Sequence, residues 1–145
     1  MIEIYTDGAC RGNNKQGNHP GGWGCIIVVN NELTMKKTGF NPETTNNQME
    51  LMGFLNGLKL NIDKTSECII YSDSQYVIKG VTEWRQGWIR KNFKDIKNIE
   101  LWHQLYAEWD KYTNIKAQWV KAHNGHKWNE IVDKLAVDGS NGIII

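Results

Sequence analysis

The stretch Ile2-Glu3-Ile4-Tyr5-Thr6-Asp7-Gly8-Ala9-Cys10 decides how the rest of the chain reads. Ile2, Ile4 and Thr6 alternate with Glu3, Tyr5 and Asp7, the two-residue period of a β-strand. Gly8 has access to backbone angles closed to other residues, so the strand is expected to end there. Asp7 then stands as a carboxylate on the end of a rigid strand. Two further stretches look built to meet it. One is Ile69-Ile70-Tyr71-Ser72-Asp73-Ser74, a second short strand ending in an acid. The other is Thr45-Asn46-Asn47-Gln48-Met49-Glu50-Leu51, a helix start that carries Glu50.

Between these anchors the chain alternates strands and helices. Residues 11–22 are polar and glycine-rich and read as a loop. Trp23 to Val29 suits a buried strand, Asn30-Asn31 a tight turn, and Leu33 to Phe40 an antiparallel return at the sheet edge, where Lys36 and Lys37 discourage further pairing. Asn41-Pro42 is expected to break the chain, and Thr45 with Gln48 matches a capping box. Leu51, Leu55, Leu58 and Ile62 follow at helical spacing. Gly53 and Gly57 inside that helix each cost about 1 kcal/mol against alanine, which suggests close approach to another backbone. Glu67 to Ser72 is a strand, Ser74 a cap for a helix to about Trp84, and Trp84 to Asn98 a short helix and basic loop. A helix over Ile99 to Tyr112, a strand over Ile115 to Val120 and a helix over Lys127 to Val137 complete the order, with Gly139 to Ile145 as a short tail. Strands first, then strands separated by helices, give an α/β fold with a mixed sheet flanked by helices, in one domain over residues 1–145.

Composition narrows the class. At 145 residues the chain is long enough for a real core, and its net charge of +1 names no partner. Neither a membrane-spanning run nor a signal-peptide pattern is visible. The three cysteines Cys10, Cys25 and Cys68 are odd in number and far apart, as free thiols in a reducing cytoplasm would be. Charge is concentrated instead: Arg85, Arg90, Lys91, Lys94 and Lys97 fall in one segment, among several of the seven tryptophans.

Asp7 and Asp73 end strands in similar settings, Tyr-Thr-Asp-Gly and Tyr-Ser-Asp-Ser; Glu50 lies early in a helix and Asp133 in the last helix. Taken singly, each is an ordinary surface acid or cap. Gathered beyond the carboxyl ends of parallel strands, four acids would repel one another unless cations joined them, and hard oxygen ligands suit magnesium or manganese. Two such ions roughly 4 Å apart can activate water and stabilise the leaving oxygen of a phosphodiester.

The chain resembles a type 1 ribonuclease H from Met1 to about Val137. The resemblance is carried by Tyr5 to Cys10, Thr44 to Leu51, Tyr71 to Val77, Trp119 to His126, and Asn129, Glu130 and Asp133 beyond them. It implies a ribonuclease H-like fold, a five-stranded mixed sheet with three antiparallel and then two parallel strands, flanked by helices. It implies a metal-dependent endonuclease that hydrolyses the RNA strand of RNA–DNA hybrids, leaving 5′-phosphate and 3′-hydroxyl ends. By position the catalytic acids, which also hold two Mg2+ ions with Mn2+ as a substitute, are Asp7, Glu50, Asp73 and Asp133. His123 would assist proton transfer or product departure; the pair His123-x-x-His126 lacks the further ligands of a zinc site.

The same resemblance places Cys10, Asn13, Asn46 and Gln75 along the minor groove, where exposed 2′-hydroxyls distinguish RNA from DNA. Thr45 matches a phosphate-binding position, and is equally a helix cap. Trp84, Arg90, Lys91 and Lys94 belong to a basic protrusion that would hold the hybrid, although Trp84 and Trp88 also fit a core beneath that helix. Four departures stand out: a longer loop over Arg11 to His19, Ala122 where glycine is common, a shorter protrusion, and a short end after Val137. The expectation is a cytoplasmic monomer. The alternatives are a non-catalytic hybrid-binding module, against which the four acids argue, and a DNA nuclease or resolvase of the same fold, against which Asn46 and Gln75 argue.

Overall fold

The computed structural model describes residues 1–11, 19–122 and 125–144. β1 (Ile2–Cys10) lies at the centre of a five-stranded sheet. β2 (His19–Val29) and β3 (Glu32–Thr44) extend it antiparallel on one side, and β4 (Cys68–Ser72) and β5 (Ile115–Trp119) extend it parallel on the other, in the order β3-β2-β1-β4-β5. The helices are α1 (Asn46–Leu60), α2 (Gln75–Lys79), α3 (Arg85–Arg90), α4 (Ile99–Trp109) and α5 (Lys127–Ser140), with a π-helical turn at Gly80–Trp84 joining α2 to α3.

The alternation in β1 sorts the two layers. Ile2 and Ile4 join Ile70, Leu51, Phe54, Leu58, Val77, Trp102 and Leu105 in one core under α1, α2 and α4. Tyr5 turns to the opposite face and packs with Ile26, Val28, Trp128, Val132 and Leu135 under α5. Because β1 and β4 run parallel, their carboxyl ends reach the same edge of the sheet and deliver Asp7 and Asp73 side by side.

Several elements differ from the expectations raised by the sequence. Gly8 does not end β1, which continues to Cys10; it serves close approach instead. A Cβ on Gly8 would lie 2.4 Å from the backbone N of Glu50, and one on Gly53 would lie 2.7 Å from the Asp7 carbonyl. These two glycines let α1 rest directly on β1 at the level of Asp7. His19 to Gly22 belongs to β2, not to a loop: a Cβ on Gly22 would lie 2.1 Å from the Ser140 backbone, so the glycine admits α5. β3 runs through Asn41 and Pro42 to Thr44, since an edge strand tolerates a missing donor. Ile62 lies beyond α1 and is 82% exposed, so the helical face ends at Leu58. Gly139 and Ser140 are the buried last residues of α5 rather than a tail. The capping box is half made: Gln48 N–H donates to Thr45 Oγ1 at 3.2 Å, while the Gln48 side chain goes elsewhere.

Candidate metal and nucleic-acid site

Asp7 lies within β1, just beyond the part of the strand that pairs with β4, and is held by its own neighbour, Gly8 N–H donating to Asp7 Oδ1 at 2.9 Å. The adjacent ladder is tied by Thr6 Oγ1, which donates to the Tyr71 carbonyl at 3.0 Å. Asp73 follows β4 in a turn fixed on both sides. Ser74 N–H donates to Ser72 Oγ at 3.0 Å, and Ser74 Oγ accepts from Val77 N–H at 3.2 Å as the cap of α2. Glu50 descends from α1, which the missing side chains of Gly8 and Gly53 bring into contact with β1.

Carboxylate oxygens of Asp7, Glu50 and Asp73 lie within 4.8 Å of one another. Asp133, on α5, stands outside that tight group; it lines the same cleft, and its charge adds to the upward shift of Asp7. The cleft has a volume of about 20 Å³, with Thr6, Val120, Ala122, Asn129 and Glu130 among its walls. Burial pushes the Asp7 carboxyl up to about 9, with the neighbouring charges of Asp73 and Asp133 adding to the shift. Burial likewise raises Glu50 well above the usual carboxylate range, reinforced by Asp7 and Asp73. Asp7 is therefore protonated at neutral pH unless positive charge is supplied, and burial disfavours the bare anion of Glu50 in the same direction.

The donor set fits a hard divalent cation. It is all oxygen, it is crowded enough to be self-repelling, and Glu50 Oε1 is buried with no hydrogen-bond partner among the described residues. An orphaned buried carboxylate oxygen is costly, and a cation at that point would satisfy it.

The other residues singled out from the sequence lie outside the acid cluster. Thr45 caps α1 and is exposed, with Asn46 exposed beside it, so the free N–H groups of the helix start face solvent. Gln75 is exposed at the first position of α2. Cys10 is half-buried, its thiol 3.6 Å from the Thr44 carbonyl and 3.8 Å from those of Arg11 and His19. Trp84 and Trp88 are half-buried and in ring contact with each other, with centroids 5.7 Å apart; Trp84 also meets Tyr76, and Trp88 meets Trp102. The aromatic rings are thus packed against the body, while Arg90 and Lys91 border an open groove with Glu83, Trp84 and Trp88, and Arg90, Lys91 and Lys94 are exposed. Asn13 and His123 lie outside the described residues. Ala122, just before His123, lines the acid cleft, and Gly125, two positions after it, is left-handed with φ 79°.

A model of the RNase H family matches residues 1–141. The chain belongs to the RNase H family. It is 40% identical over 149 residues to a ribonuclease H of Chromobacterium violaceum, across 98% of this chain and 96% of that protein. It is 43% identical over 141 residues to a ribonuclease H of Hahella chejuensis, across 93% and 90% respectively. Among solved structures, LC9-RNase H1, described as a type 1 RNase H with the type 2 active-site motif, matches with a TM-score of 0.86 at 26% identity, over 97% of this chain and 72% of that one. The five-stranded order seen here is that of the RNase H fold.

One contributor to this RNase H site is invisible in the sequence. Trp119 Nε1 donates to the Asp73 carbonyl at 3.1 Å and so braces the turn that presents the carboxylate. Trp119 is 38% exposed at the end of β5, and nothing in its local sequence signals this bracing role. Only the parallel register of β5 with β4 sets Trp119 opposite Ser72, one residue from Asp73.

Proposed function

We propose that Asp7, Glu50, Asp73 and Asp133 are the catalytic acids of this enzyme and share two magnesium ions, with manganese able to replace them. As a member of the RNase H family, the chain is an endonuclease acting on RNA in RNA–DNA hybrids. The observation that carries the residue assignment is the convergence within 4.8 Å of carboxylates from β1, from α1 and from the turn after β4, that of Glu50 carrying a buried oxygen with no hydrogen-bond partner among the described residues. The chemistry supplied by divalent cations held there is activation of a water molecule and stabilisation of the departing oxygen.

The chain's own residues do the rest. Asp7 and Glu50 would hold the cations as carboxylates, the positive charge offsetting the burial that otherwise disfavours their anions. Gly8 N–H and the Trp119 indole keep Asp7 and Asp73 from turning away. Thr45 and Asn46 offer the N-terminus of α1 to a phosphate of the DNA strand, and Cys10 (through its main chain), Asn13, Asn46 and Gln75 read the minor groove. Trp84, Arg90, Lys91 and Lys94 hold the duplex from the protrusion. His123 moves a proton or speeds product departure. Three free thiols fit a reducing compartment such as the cytoplasm, with the enzyme acting as a monomer. Among the described residues, no helix is long and apolar enough to cross a membrane.

The test is a matched set of RNA–DNA hybrid, duplex RNA and duplex DNA with magnesium present, followed by end-group mapping. Cleavage confined to the RNA of the hybrid, with 5′-phosphate and 3′-hydroxyl ends, is expected. Equal cleavage of duplex DNA would favour a nuclease of different specificity, and binding without cleavage a hybrid-binding module.

A further inference from the structure

Two ordinary capping bonds are forgone at the edge of the site. Asn98 stands at the N-cap of α4, where an asparagine side chain usually accepts from the first N–H groups of its own helix. Here it makes no cap bond, and its backbone is left-handed, φ 59° and ψ 31°. Gln48 stands three residues after the α1 cap, where a glutamine usually reaches back to the cap N–H. Its side chain turns away instead, and the two side chains meet. Gln48 Nε2 donates to Asn98 Oδ1 at 3.2 Å, while Gln48 Oε1 accepts from Thr44 Oγ1 at 2.9 Å. Asn98 Nδ2 then donates to the Tyr76 hydroxyl at 3.1 Å, and Trp102 Nε1 donates to the same oxygen at 2.9 Å.

This chain of bonds has a fixed end. Trp102 is fully buried, and a Cβ on Gly80 would fall 2.0 Å from its ring, so the indole cannot shift. An indole N–H only donates, which pins the Tyr76 oxygen as its acceptor. From that post the bonds run out through Asn98 to Gln48 and Thr44, crossing from α4 and α2 to the start of α1 and the end of β3.

We infer that Gln48 is a positioning residue that sets the spacing between the two halves of the hybrid-binding face. The inference rests on the hybrid-hydrolase reading. One half is the start of α1, with Thr45 and Asn46; the other is the α2–α4 side, with Gln75 and the basic segment. A nucleic-acid duplex is stiff, so both halves engage it together only when their separation is fixed in advance, and a loosened separation costs affinity. Chemistry is insulated from this. Gln48 and Glu50 are two residues apart on a helix and do not share a face. Glu50 packs with Asp7 and Asp73, whereas Gln48 points to Thr44 and Asn98.

The experiment is steady-state kinetics on an RNA–DNA hybrid with magnesium, for the wild type, Gln48→Met, Tyr76→Phe and the double variant, each checked for folding by circular dichroism. Gln48→Met keeps the length of the side chain and removes its hydrogen bonds; Tyr76→Phe cuts the same chain from the buried end. KM is expected to rise about tenfold in either single variant with kcat nearly unchanged. The double variant is expected to be little worse than the worse single one, because both break one connection. If Gln48→Met does not fold, Tyr76→Phe carries the KM comparison alone. Unchanged KM, a loss confined to kcat, or fully additive effects would overturn the inference. A wild-type protein that leaves the hybrid intact would overturn the hydrolase reading and the inference with it, a result distinct from any shift in KM.

Discussion

At the scale of single residues, the acids cost the fold stability until a cation arrives. Asp7 rests at about 9 in the folded chain against an ordinary 3.8, and Glu50 is shifted the same way. Between about pH 4 and 9 the folded state holds protons that the unfolded state has released. Stability of the metal-free protein therefore falls as pH rises through that window. Asp7→Asn removes the proton requirement and the repulsion. Its metal-free melting temperature is expected to exceed that of the wild type at pH 8, through a stability gain on the order of a few kcal/mol, and to depend less on pH. The same variant is expected to have lost hydrolysis, which a single activity assay checks. His123→Ala is expected to lower kcat about tenfold to a thousandfold, within or just below the usual contribution of an acid–base group, while leaving the magnesium dependence in place. Single-turnover kinetics divides its role: a slow first turnover assigns it to chemistry, and slow later turnovers alone assign it to product departure.

At the scale of elements, Gly53 gives the clearest sign test. Helix propensity alone predicts that Gly53→Ala stabilises α1 by about 1 kcal/mol. The structure predicts the reverse, because the new methyl would lie 2.7 Å from the Asp7 carbonyl. Denaturant unfolding is expected to show a loss of about 1–3 kcal/mol, with kcat falling as Asp7 is displaced. The protrusion is tested by Arg90, Lys91 and Lys94 changed together to alanine. Hybrid affinity should fall and its salt dependence flatten, with maximal turnover nearly kept. What could be read from the sequence follows from the same physics. Period-two alternation in Ile2 to Asp7 and the Leu51-Leu55-Leu58 spacing are local signals, and both gave their elements. The glycine-rich His19 to Gly22 read as a loop because its reason for glycine, the passage of α5 overhead, is a tertiary contact. The π-turn at Gly80–Trp84 answers to the packing of Trp102 against Gly80, and neither residue signals it locally.

At the scale of the whole molecule, the site exists because of topology. Asp7, Glu50, Asp73 and Asp133 are spread over most of the chain, and no spacing in the sequence joins them. The parallel pairing of β1 with β4, register Ile2 opposite Cys68, brings two of them to one edge; α1 and α5, packed on opposite faces, add the others. The sequence motifs named these acids through a family resemblance, whereas the brace from Trp119 and the chain of bonds through Gln48 became visible only when β5 and α4 were set beside their neighbours. The role proposed for this assembled carboxylate cluster is to hold the divalent cations through which the RNA strand is cut. The most direct test is the cleavage rate of the RNA strand in a defined hybrid as magnesium is titrated from zero, for the wild type and for Asp73→Asn. The wild type should be inactive in chelator and rise to saturation with added magnesium, while Asp73→Asn stays inactive throughout although folded. Wild-type cleavage that persists in chelator, or Asp73→Asn turning over at the wild-type rate, would contradict the account.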